Sequence, residues 1–113
     1  MTTSVGITTR EFAKAHPDKL KAIIEGRRMG VKAIYDNPQH AADILAKGFK
    51  LEPAVAKEAV DNMIAPHMWS EGDFNLVEME RMADGLRLNG ELKGDVDWAA
   101  IMDKSYLPSD LQH

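Results

Sequence analysis

Four histidines, His16, His40, His67 and His113, are the chain's imidazoles, and imidazole is the side chain best suited to base catalysis or zinc ligation near neutral pH. A zinc pair on a helix needs ligands three or four residues apart, as in H-E-x-x-H, and no two of these histidines have that spacing. His67 and Glu71 are four apart, but Pro66 and Gly72 bracket them in a loop, where this spacing no longer aligns side chains. No metal site is expected. Glu78, Glu80 and Asp84 invite an acid–base reading, which requires burial to split the pKa values of paired carboxylates. Glu80 and Asp84 share a helix face opposite Met79, Met82 and Leu86, so both are expected in solvent. Ser70, Ser105 and Ser109 lack a Gly-x-Ser-x-Gly setting, and there is no cysteine nucleophile. These residues predict neither an enzyme nor a cofactor.

Two tryptophans remain. Trp69 stands in the segment His67–Phe74 beside Met68, an apolar cluster where loops are usually polar. It can anchor the loop to a core, contact a ligand or face a partner; anchoring is the commonest of the three. Trp69 is the one ligand-binding candidate in the sequence. Trp98 falls on the apolar stripe of the last helix and reads as core.

The elements that must position these residues are punctuated by proline. Pro17, Pro38 and Pro53 each suit the first turn of a helix, where the missing N–H has no partner to lose. Apolar spacing then predicts helices over 17–36, 38–49, 53–65 and 75–88. A short fifth follows Gly94, capped by Asp95 or Asp97, over Trp98, Ile101 and Met102. Gly26 and Gly30, one turn apart in the first long helix, predict a notch for a closely packed backbone. Gly48 is placed to close the second helix, and Asn89-Gly90 the fourth. Residues 4–9 are β-prone and read as a short strand, with a helical turn at Arg10–Ala13 capped by Thr8 or Thr9. A lone strand leaves its backbone groups unpaired, so it requires a neighbour. The expected organisation is a single helical domain or fragment over 1–113: an orphan strand at 1–9, a helical array at 10–108 and a loose tail at 109–113.

At 113 residues the chain suits one small domain. Its net charge is −4, and its tight basic cluster is confined to Arg27 and Arg28 with Lys32 one turn on, which argues against nucleic acid. No apolar run approaches the ~20 residues of a membrane helix, so direct membrane insertion is not expected. Met1–Ile7 has neither the basic nor the apolar region of a signal peptide, which would leave a free-standing product in the cytoplasm.

Three stretches carry a family likeness. Ile7-Thr8-Thr9-Arg10-Glu11-Phe12-Ala13-Lys14-Ala15-His16-Pro17-Asp18-Lys19-Leu20-Lys21-Ala22 resembles a strand followed by an F-x-x-x-x-P-x-x-x-x-A helix entry. Asn37-Pro38-Gln39-His40-Ala41-Ala42-Asp43-Ile44-Leu45-Ala46 resembles an N-P-x-x-A-A-x-I-x-A helix. Gly90–Trp98 followed by Asp103–Pro108 resembles a G-x-l-k-x-x-v-d-w … d-x-s-f-L-P close. In this order, over nearly the whole chain, they resemble the C-terminal helical part of ABC-transporter periplasmic solute-binding proteins. The likeness is to the nitrate, taurine, aliphatic-sulfonate and thiamine-pyrimidine-precursor type. It implies a mainly α portion of a two-lobed fold that closes on a small anionic or heterocyclic solute. It also implies a periplasmic location and a membrane permease as the partner of the full-length protein. The lobes and most of the pocket lie outside this sequence, so the chain alone is expected to be non-catalytic, without competence for the solute and prone to self-association. The alternative is a self-standing helical interaction domain that presents the loop from Trp69 to Phe74.

Overall fold

The computed structural model describes residues 5–113, and their regular structure is helical. Among the described residues six α-helices follow one another: α1 (Arg10–Ala15), α2 (Pro17–Asp36), α3 (Pro38–Phe49), α4 (Pro53–Ile64), α5 (Leu76–Leu88) and α6 (Trp98–Ile101). Short 3-10 turns at Lys104–Tyr106 and Ser109–Leu111 complete the chain.

Side-chain caps set most of the helix starts. Thr9, Asn37, Asn75 and Asp97 each accept a hydrogen bond from the backbone N–H three residues on, all at 3.1 Å. Each bond satisfies one of the four donors that a helix leaves open at its N-terminus. Pro38 and Pro53 occupy first-turn positions, as their fixed φ favours. At the other end, α5 closes as expected, with Gly90 at φ 75 and the Glu91 N–H returning 2.9 Å to the Leu86 carbonyl. The end of α3 differs from expectation. Gly48 lies inside the helix, and Lys50 takes the left-handed closing conformation at φ 54, with the Leu51 N–H reaching the Ala46 carbonyl at 3.0 Å.

The N-terminal strand does not form in its described part. Val5–Thr8 are irregular, Ile7 is 92% exposed, and the described residues contain no strand to pair with them. The first four residues of that expected strand lie outside the described ones. The tail also departs from expectation: Leu111 is buried, and Gln112 Nε2 donates to the Leu107 carbonyl at 2.8 Å.

The chain divides into two compact units, with α2 entering both. One unit takes the chain up to Ala22 together with Asp73–His113. Its buried residues are Ala13, Met79, Ala83, Leu107 and Leu111. The other is Ile23–Gly72, in which α3 and α4, joined by three residues, pack on each other around Ala42, Ala56 and Val60. Alanines at the contact let helix axes approach closely, but they supply little apolar area. Among the described residues no large side chain is fully buried.

Candidate functional site

In the second unit, Tyr35 near the end of α2 organises the loop that follows α4. Its hydroxyl donates to the Trp69 carbonyl at 3.0 Å and accepts from the Trp69 N–H at 3.1 Å. The His67 ring stacks on the phenol at a centroid distance of 4.4 Å, and Trp69 meets it edge-on at 6.3 Å. His67 reaches this position by adopting φ 51, a conformation that costs a non-glycine residue about 1–2 kcal/mol. Two arginines extend the attachment. Arg27 Nη1 donates to the Ser70 carbonyl at 2.9 Å, and Arg28 Nε to Glu71 Oε2 at 2.7 Å. Arg27 and Arg28 of the basic cluster noted in the sequence are thus turned onto this loop. In the sequence Tyr35 falls within the apolar spacing of the helix over 17–36; its polar tip is the signal that it needs a partner.

Trp69 is half-buried and forms part of the wall of an apolar cleft of about 440 Å³. α2 contributes Gly30 and Ile34 to this cleft, α3 contributes Ile44, Gly48 and Phe49, and α4 contributes Met63. Its size falls within the range of small-molecule sites. Among the described residues the lining contains no Asp, Glu, Lys or Arg, and His40 is its one ionisable side chain. Apart from the His40 imidazole, such a surface offers no side-chain charge to offset the desolvation of an anion.

The first unit carries a polar cluster that sequence spacing did not anticipate. Glu80 Oε2 accepts from the Trp98 indole N–H at 2.6 Å, and Glu80 Oε1 accepts from Arg87 Nη1 at 2.8 Å. Arg87 Nη1 also reaches Asp84 Oδ1 at 2.6 Å, and Arg87 Nε donates to the Gly94 carbonyl at 2.8 Å. Asp95 Oδ1 stands 3.7 Å from Arg87 Nη2, an atom that is buried without a hydrogen-bond partner among the described residues. The Trp98 and Arg87 donors hold the Glu80 carboxyl below its usual range, and Glu80 in turn raises the Arg87 guanidinium further. Glu80 was expected on a solvated face, yet its side chain is 45% exposed and both its oxygens are occupied. The contact escaped helix periodicity because Trp98 lies 18 residues away. A carboxylate held ionised by two donors is a poor general acid, and the cluster reads as a fastening between α5 and α6.

His16 packs against Phe12 within the α1 region at a centroid distance of 5.0 Å. Among the described residues, no three His, Asp or Glu side chains gather as metal ligands would. No described helix is long and apolar enough to cross a membrane. Compared with protein-family models, curated proteins and solved structures, the chain matches none.

Proposed function

We propose that the chain is a non-catalytic helical portion of an ABC-transporter solute-binding protein, a scaffold that covers other parts of that protein and leaves solute contact to them. The observation that carries this reading is surface that the chain leaves uncovered. Large apolar side chains stand open: Ile7, Leu88 and Ile101 are 92%, 89% and 67% exposed. Side chains of that kind are usually covered by something else. The charge-free lining of the cleft beside Trp69 fits a portion that does not itself hold a small anion.

The coding sequence upstream of Met1 tests the assignment. An in-frame two-lobed α/β region is the expected finding; a demonstrated translation start at Met1 with no such region would overturn it. Solute competence is tested separately by thermal shift with taurine, nitrate and an aminopyrimidine. No change in melting temperature is expected, and a saturable rise with any of the three would overturn the assignment of solute contact to other parts.

A further inference from the structure

The cleft of the second unit contains two glycines that packing within that unit does not explain. Gly30 on α2 and Gly48 on α3 both line it, and both lie inside helices. A Cβ built on either meets no heavy atom within 4 Å. A helix-interior glycine is less stabilising than alanine, and here no close approach within the unit offsets it. The two positions, one on α2 and one on α3, leave room for a body from outside. On the same face of α3, Ile44 is 60% exposed and Phe49 74% exposed. One surface therefore carries both a hollow and the apolar side chains able to fill it. That is the condition for an isologous contact, in which the same patch serves both subunits.

We propose that α3 pairs with α3 of a second copy of this chain about a twofold axis, each copy's Phe49 entering the other's cleft. The charges on α3 fix the direction. Asp43 and Lys47 are exposed, one turn apart on the flank of the cleft-lining face, and Gln39 Nε2 holds the Asp43 carboxylate at 2.9 Å. A twofold axis across the contact sets the helices antiparallel and brings like flanks together. Each Asp43 then faces the partner's Lys47, so opposite charges meet twice. A parallel pairing sets this flank against the other one and forgoes both ion pairs. The lining brings no Asp, Glu, Lys or Arg into the contact, so its centre closes without burying an unpaired charge.

This contact does not depend on the transporter reading, and its test is separate. Sedimentation velocity on the full chain, from low micromolar to near-millimolar concentration, should show a monomer–dimer equilibrium. Phe49→Glu should weaken it about tenfold or more, as expected of a central aromatic anchor. Gly48→Leu should weaken it as well by filling the cleft, with the helical circular dichroism of both variants unchanged. Asp43→Lys should weaken the dimer by a smaller factor, and adding Lys47→Asp should restore it. Deleting residues 1–8 should leave it intact. A strict monomer throughout would overturn the proposal, as would a dimer indifferent to Phe49→Glu or one lost with residues 1–8. Failure of the charge swap to restore pairing would overturn the antiparallel arrangement. Saturable one-to-one binding of the neutral dye N-phenyl-1-naphthylamine to a strictly monomeric chain, abolished by Gly48→Leu, would assign the cleft to a small apolar ligand instead.

Discussion

The Tyr35 hydroxyl occupies both backbone groups of Trp69, one as donor and one as acceptor. Removing it strands an N–H and a C=O that are partly shielded from water, and each such loss costs about 1–3 kcal/mol when solvent cannot fully compensate. Tyr35→Phe should therefore destabilise the second unit by about 1–3 kcal/mol in urea denaturation and shift Trp69 emission to the red. In the first unit, Glu80 answers to pH. Its carboxyl lies below the ordinary value when folded, so it contributes stability that is present above the unfolded pKa and is lost as pH falls through the lower folded one. Trp98→Phe removes the leading donor, moves the Glu80 carboxyl back toward its ordinary range and should flatten this acid limb. Near-UV circular dichroism followed between pH 6 and 2, about the span over which carboxylates titrate, should show the Trp98 signal lost on that limb in the parent. Neither tyrosine nor glutamate was legible from spacing. Both bonds join residues 18 or more positions apart, and helix periodicity carries information over one or two turns.

At the scale of elements the sequence was far more informative, because helix starts are local chemistry. Proline, asparagine, threonine and aspartate at the caps decide them within three residues, and α2, α3 and α5 begin within one residue of where those signals place them. The strand over residues 4–9 shows the limit. Its composition is β-prone, but a strand is completed by a neighbour, and local composition cannot supply one. The glycines of α2 show a second limit. Periodicity marked Gly26 and Gly30 as a notch, but what fills a notch is a tertiary fact. A Cβ at Gly26 meets no heavy atom within 4 Å, and its backbone is not in the left-handed region. Gly26→Ala should therefore stabilise the chain by about 1 kcal/mol, read as a higher urea midpoint at unchanged slope. A lower midpoint would show that some body packs against that turn.

Taken whole, the molecule has a tryptophan in each of its two units, Trp69 in one and Trp98 in the other. Each unit has its own small buried set, dominated by Ala and Val in one and by Ala, Met and Leu in the other. Urea unfolding followed through Trp98→Phe, which reports Trp69, and through Trp69→Phe, which reports Trp98, should give transitions with different midpoints. Coincident curves would establish a single cooperative fold. The scarcity of large buried side chains has a further, calorimetric consequence. The heat capacity of unfolding grows with the apolar surface that becomes wetted, about 12–15 cal/mol/K per residue in ordinary domains. A chain that already exposes Ile7, Phe49 and Leu88 while folded has less left to wet. Scanning calorimetry should find a heat-capacity step below that norm and a shallow, broad endotherm. Stability of this kind changes little between cold and warm; it is gained by adding a partner more than by lowering the temperature.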